Sequence, residues 1–146
     1  MNKAIVLDID GVLLKSDVIF NEMHDLELKN DDRWDYFHKN CNSSRVLFMD
    51  EMLRFIKNLN PSICIILSTA RNEKCRQETI HRLQEENFIF NELYMRADGD
   101  KRPSQEIKQA HLKEIKKTFE IIAFIDDDLN NCCMAKEEGI LALRKV

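Results

Sequence analysis

No stretch of this 146-residue chain is apolar for long enough to form a secretory signal or a membrane span. Met1-Asn2-Lys3 runs directly into an acidic turn, and the chain is expected to be cytoplasmic. Its five cysteines (Cys41, Cys64, Cys75, Cys132 and Cys133) are odd in number and include no C-x-x-C pair. That pattern speaks against a zinc site or a disulfide framework, so reduced thiols outside the chemistry are expected. His24, His38, His81 and His111 have no ligand spacing. A cationic excess is also missing: a net charge of −4 argues against a protein that coats nucleic acid. Internal repeats, low-complexity tracts and linkers are absent. One compact domain over 1–146 is expected, and 44% hydrophobic residues suffice for a core without disulfide or metal support.

Charge is unevenly distributed. Arg96 to Lys117 holds seven basic residues against four acidic ones, whereas Glu22 to Asp35 holds six acidic against two basic. The Lys113, Lys116 and Lys117 run reads as an exposed helix face. Trp34, Tyr36 and Phe37 read more readily as anchors for a short helix than as a platform for a base.

The most informative stretch is Ala4 to Val12, where an apolar run delivers Asp8, Ile9, Asp10 and Gly11. Strand side chains alternate, so Asp8 and Asp10 can face one small volume as the chain turns at Gly11. Paired carboxylates repel unless a cation joins them, and hard oxygen ligands suit Mg²⁺. The segment by itself is equally compatible with an Asp-rich turn after a buried strand.

Further apolar runs follow. A strand at Ser62–Leu67 leads to Ser68-Thr69-Ala70-Arg71, a third covers Glu92–Arg96, a fourth at Ile121–Ile125 leads to Asp126-Asp127-Asp128, and a fifth covers Ile140–Leu143. Helices are predicted at Val46–Leu59, with caps offered by Asn42 to Ser44, at Asn72–Asn87, and after Ser104 as cap, carrying Ile107, Leu112 and Ile115. A last helix stops at Gly139. Val12 to Asp32 is polar with weak periodicity, and its length marks it as functional or mobile. Strand–helix alternation predicts an α/β fold, a doubly wound parallel sheet whose site lies at the carboxyl ends of the strands. Asp8, Asp10, Thr69, Arg71, Asp126 and Asp127 all fall there, a poor arrangement for stability and a good one for a phosphate bound with Mg²⁺.

In this order, with Lys108 in the helix before strand four, the chain resembles the haloacid dehalogenase superfamily of phosphotransferases over nearly its whole length. Leu93-Tyr94-Met95-Arg96-Ala97-Asp98-Gly99-Asp100-Lys101-Arg102-Pro103, and Trp34-Asp35-Tyr36-Phe37 with Cys41, more narrowly resemble the phosphatase domain of phage-type polynucleotide kinase/phosphatases. The resemblance implies a Rossmann-like core with minimal or no cap, and a Mg²⁺-dependent phosphomonoesterase. It makes Asp8 the nucleophile that forms an aspartyl-phosphate and Asp10 the general acid and base. Mg²⁺ is expected on Asp8, the Asp10 carbonyl and Asp126, with Asp127 close by. Thr69 and the amides opening the next helix are expected to hold phosphate oxygens, Lys108 to offset charge, and Arg71, Arg96 and Arg102 to grip the rest of the substrate.

Val12 stands where relatives commonly have Thr, Ala70 where they have Gly, Val18-Ile19-Phe20 where they carry a basic residue, and Ser104 where many have Asp. These departures leave the chemical step intact and bear on the substrate. A nucleic-acid 3′-phosphate end or a nucleotide is expected, the alternative being a small nucleotide or sugar phosphate. A phospho-receiver switch or inactive binding module is the reading of another class. The receiver needs its acceptor Asp in mid-chain and adjacent acids after strand one, whereas Asp8 and Asp10 are spaced by two.

Overall fold

The computed structural model describes residues Met1–Val146. Five parallel strands, β1 (Asn2–Leu7), β2 (Cys64–Asn72), β3 (Glu92–Arg96), β4 (Phe119–Asp126) and β5 (Ala142–Arg144), lie in the order β3-β2-β1-β4-β5. Six helices surround them: α1 (Asp17–Asp25), α2 (Asn30–Asn40), α3 (Asp50–Lys57), α4 (Arg76–Glu85), α5 (Ser104–Ile115) and α6 (Leu129–Glu137). This is the expected doubly wound α/β fold, and no cap domain is inserted into it.

Strand alternation sorts the core into two clusters. Ile5, Leu7, Ile65, Leu67, Leu93, Met95, Ala123 and Ile125 join the larger one, while Ala4, Val6, Ile66 and Phe124 join the smaller one with Leu112 and Ile115 of α5 and Met134 of α6. Leu7 pairs with both Leu67 and Ile125. The next row therefore brings Asp8, Ser68 and Asp126 together on the α5 face. Register has decided which helix serves the site.

Several elements differ from the sequence reading. The polar Val12–Asp32 segment forms α1 and the start of α2, separated by left-handed backbone at Glu27 and Asn30. Only Ile19 and Met23 of α1 and Phe37 of α2 are buried, too sparse a pattern to show as periodicity; a Phe20–Phe37 ring stack at 5.0 Å joins the two helices. Helix α3 begins at Asp50, not Val46, because the Lys15 amide bonds to the Leu47 carbonyl and the Met49 amide to that of Leu13, holding 47–49 extended. No Asn42–Ser44 side chain caps it. Ser104 is the first residue of α5, and Pro103 occupies the cap position. The β2 strand runs on to Asn72, so Thr69 and Arg71 lie within a strand, and a 3₁₀ turn at Glu73–Cys75 intervenes before α4. Strand β5 begins two residues late, because Ile140 turns into the core after Gly139. No helix is long and apolar enough to cross a membrane.

Candidate active site

Asp8 emerges from β1 almost fully buried, its amide held by the Ile125 carbonyl at 3.0 Å. Its Oδ1 accepts from the Ile9 amide at 2.8 Å and faces the Lys108 ammonium at 2.9 Å, while Oδ2 has no protein hydrogen bond. Asp126, at the end of β4, receives Lys108 Nζ at 2.6 Å and Asn131 Nδ2 at 3.2 Å on Oδ2, and the Asp128 amide at 2.9 Å on Oδ1. Lys108 is 2% exposed and reaches both carboxylates because α5 packs on the face to which their row points. Burial alone would lower its pKa, and the two aspartates hold it raised.

Asp8, Asp126 and Asp127 place carboxylate oxygens within 4.8 Å of one another. Lys108 pairs with Asp8 and Asp126, and Asp127 stands beside them without an ion-pair partner, so the three carboxylates outnumber the one ammonium by two charges, which is the charge of one divalent cation. Burial pushes Asp8 well above the usual carboxylate range, Lys108 opposes this, and Asp126 and Asp10 add to it. Burial and Asp126 likewise raise Asp127. The donor set is entirely oxygen and fits a hard cation such as Mg²⁺. Gly11, at φ +83°, closes the turn over it, and a Cβ there would fall on the Asp127 carboxylate.

Asp10 is in a different setting. The chain turns between Ile9 and Leu14, with the Gly11 amide bonded to the Leu14 carbonyl, so simple alternation fails. Asp10 meets Arg71, which β2 presents on the opposite face from Asp8. Arg71 Nε donates to Asp10 Oδ2 at 2.9 Å and Nη2 to Oδ1 at 2.7 Å, and Ser16 Oγ adds a 2.5 Å bond. Ser16 occupies the cap position before α1, and its hydroxyl, used here, does not cap the helix. Burial would raise the Asp10 pKa, but Arg71 and these hydrogen bonds hold it lowered.

The expectation that Arg71 grips substrate is not what its contacts describe. It is 2% exposed, and Nη1 donates to Asn42 Oδ1 at 2.6 Å and Thr79 Oγ1 at 3.1 Å, Nη2 also to the Cys41 carbonyl at 3.3 Å. Arg96 braces its own loop through the Ala70, Asp100 and Arg102 carbonyls. Arg102 is half-exposed and forked onto Asp100. Thr69 is buried, its Oγ1 accepting from the Arg71 amide at 3.1 Å; with α4 starting only at Arg76, it is not flanked by helix-opening amides.

Asp8, Asp126, Asp127 and Lys108 are thus brought together as expected, and Asp10 pairs with Arg71 beside them. The residues that sequence reasoning missed are Ser16, Asn42, Thr79, Asn131 and the Ser68–His111 pair. Ser68 Oγ and His111 Nδ1 are 2.8 Å apart, and His111 Nε2 lies 3.1 Å from the Met95 carbonyl. Nothing in their local sequence marks them: Asn42 and the Ser68–His111 pair act through partners 29 and 43 residues away, and Ser16, Thr79 and Asn131 meet theirs only through the turns that follow the strands. A recess of about 540 Å³ opens beside Asp10, Gly11 and Asp127, walled by Phe20 and Met49 and edged by Lys15 and Lys145. It has room for the alcohol part of an ester. Trp34, unlike Phe37, is 49% exposed, while Tyr36 donates to Glu22 at 2.6 Å.

Among solved structures, a chain of a Pnkp1/Rnl/Hen1 complex matches with TM-score 0.77 and 20% identity over 99% of this chain and 46% of that one. A haloacid dehalogenase-like hydrolase from Streptococcus pneumoniae matches with TM-score 0.69 and 16% identity, over 97% of this chain and 83% of that one. A class C acid phosphatase from Bacillus anthracis, with tungstate bound, gives 0.67 and 14%, over 99% and 67%. The chain spans less than half the length of the Pnkp1-complex chain. At these identities the likeness is one of fold. No curated protein matches the sequence significantly. The family model for the haloacid dehalogenase superfamily, subfamily IIIB (acid phosphatase), matches residues 1–143. With its sheet order, its Asp8–Asp126–Asp127 cluster and its buried Lys108, the chain belongs to that superfamily of phosphatases.

Proposed function

We propose that this chain is a Mg²⁺-dependent phosphomonoesterase working through an aspartyl-phosphate on Asp8, with a terminal 3′-phosphate of a nucleotide or short nucleic acid as substrate. The single observation carrying the reading is the cluster of Asp8, Asp126 and Asp127, in which Lys108 pairs with the first two and Asp127 has no ion-pair partner. Asp8, Asp126 and Asp127, with the Asp10 carbonyl, would hold Mg²⁺, and the ion supplies charge that lets an anionic nucleophile approach an anionic phosphate.

Asp8 Oδ2 attacks phosphorus while Oδ1 stays fixed by the Ile9 amide and Lys108, so the carboxylate cannot rotate away. Lys108 balances the charge that Asp8 and the arriving phosphate share. Asp10, once turned out of the Arg71 fork, protonates the leaving oxygen. Returned to the ionised state that Arg71 favours, it takes the proton of the water that opens the aspartyl-phosphate. The Thr69 hydroxyl, at the end of β2, is the donor this reading assigns to phosphate oxygens.

Arg96 and Arg102 brace a loop two strands from Asp8, and their cationic edge, with Lys101, suits one neighbouring phosphate. The likeness to a chain of an RNA repair complex supports a nucleic-acid end. The acidic Glu22–Asp35 segment and the engagement of Arg71 by Asp10 favour the second reading, a small phosphate ester seated in the recess. Comparing kcat/KM for 3′- and 5′-phosphorylated oligonucleotides, mononucleotides and sugar phosphates with Mg²⁺ separates them. The 3′-phosphates are expected to be fastest, with a shallow salt slope of about one or two contacts. Faster hydrolysis of sugar phosphates than of any 3′-phosphate overturns the assignment.

A further inference from the structure

Ser68 interrupts an apolar strand, following Ile65, Ile66 and Leu67 in β2, and it is fully buried. Its Oγ lies 2.8 Å from His111 Nδ1, and His111 Nε2 lies 3.1 Å from the Met95 carbonyl of β3. That carbonyl can only accept, so Nε2 carries the hydrogen. On the neutral ring that burial favours, Nδ1 is then an acceptor, and the Ser68 hydroxyl donates to it. The bonds therefore run in one direction, from Ser68 to His111 to Met95. The Tyr94 ring backs the imidazole, with 5.6 Å between centroids. Neither Ser68 nor His111 takes part in the proposed chemistry.

His111 follows Lys108 by three residues in α5, so the two side chains leave the same face of the helix about one turn apart. Lys108 reaches Asp8 after β1 and Asp126 at the end of β4, while His111 reaches Ser68 of β2 and Met95 of β3. Four strands are thus tied to α5 through two side chains. The surrounding contacts differ in kind. Ala4, Val6, Ile66, Leu112, Ile115 and Phe124 form an apolar cluster, which holds the helix down without fixing where it sits along the sheet. A hydroxyl and an imidazole placed beside that cluster cost desolvation that apolar side chains would avoid, and what they add is direction.

We propose that Ser68 and His111 are positioning residues for Lys108: their link to the Met95 carbonyl fixes α5 so that the ammonium stays between Asp8 and Asp126 during turnover. The role in turnover rests on the phosphatase reading, whereas the placement of the ammonium does not. Lysine carries its charge on a flexible four-carbon stem, so where the ammonium ends depends on where the helix holds its Cα. Its own ion pairs do not suffice, because Asp8 and Asp126 are also the groups that the cation and the arriving phosphate engage in the proposed reaction. His111 bonds to neither acid, and its hold on the helix is the same before and after phosphate reaches Asp8.

Ser68→Ala removes only the hydroxyl, and His111→Leu keeps the bulk of the ring while removing both bonds. With each variant folded by circular dichroism, kcat for a small phosphate ester with Mg²⁺ is expected to fall about tenfold or more, and KM to stay within about twofold. A double-mutant cycle separates positioning from general loosening. Adding Ser68→Ala to Lys108→Gln should lower kcat no further, since no ammonium is left to misplace. A brief pulse of acetic anhydride, mapped by mass spectrometry, reports on the ammonium without turnover. Lys108 is expected to be protected in the wild type and, in both variants, to be labelled faster relative to the exposed Lys113 and Lys117. Unchanged labelling of Lys108, or an equal loss of kcat from Ser68→Ala with and without the lysine, overturns the proposal. A wild type that hydrolyses no ester defeats the phosphatase reading instead, and the labelling of Lys108 still decides whether the pair positions it.

Discussion

Asp8 and Asp10 are two residues apart and live under opposite electrostatic regimes. Asp8 belongs to a group of three acids around one lysine, and its pKa is driven up. Asp10 is fully answered by the Arg71 fork and Ser16, and its pKa is driven down. The first region holds unfavourable charge that a cation can relieve; in the second, Arg71 and Ser16 hold Asp10 ionised and in place. The difference teaches that two acids two residues apart are set against each other by which side of the sheet supplies their partners.

The strongest way to break this comparison is Asp8→Asn. Turnover is expected to fall by ~10⁴-fold or more, because an amide cannot form the acyl phosphate. Without metal, however, the melting temperature should hold or rise, since repulsion with Asp126 and Asp127 is relieved while Lys108 keeps a partner. Near-normal hydrolysis by this variant defeats the mechanism.

Asp10→Asn should show the reverse balance. A loss of ~10²–10⁴-fold in kcat is expected from the acid and base role. It also leaves the Arg71 guanidinium buried without a counter-charge, a defect that costs about 3–5 kcal/mol and should show as a lower midpoint in urea. Wild-type stability in Asp10→Asn shows that the pair is not the anchor described here.

A third measurement sharpens the contrast without chemistry. Mg²⁺ is expected to raise the melting temperature of the wild type in proportion to ln(1 + [Mg²⁺]/Kd), and EDTA to cancel the rise and stop hydrolysis. Asp126→Asn should abolish the shift, whereas Ser16→Ala, which removes a hydroxyl that bonds to Asp10 and the Leu14 carbonyl and to none of the three clustered acids, should retain it. Full activity in excess EDTA refutes the metal assignment.

The smallest effect concerns His111, beside Lys108 on the α5 face. Burial lowers its pKa to about 4, so the folded state keeps it neutral below the ordinary value of 6.5 at which the unfolded chain takes up a proton. Its contribution to stability is therefore complete above 6.5 and is lost as pH falls toward about 4. His111→Gln should flatten the stability curve over that window; an unchanged curve argues that His111 is protonated in the fold.

The strand–helix alternation, the strand-end positions of Asp8 and Asp126, and Lys108 in the preceding helix were legible in the sequence, because each depends on local periodicity or on a short acidic run at a strand end. Helices α1 and α2 were not: their few buried residues, Ile19, Met23 and Phe37, form a pattern only when packed against one another. The role of Arg71 was hidden for a related reason. Sequence shows an arginine after a strand but not which face of the sheet it occupies, nor that the turn at Gly11 swings Asp10 to meet it.

By itself, then, the sequence determined the strands of the parallel sheet and the chain order of the acids at their ends, since buried parallel strands must run apolar and must end where the chain turns. Tertiary structure alone decided the partnerships: which acids share Lys108 and which is held by Arg71. Those depend on register and helix packing, which place residues 18 to 100 positions apart within hydrogen-bond distance, and no local pattern encodes them.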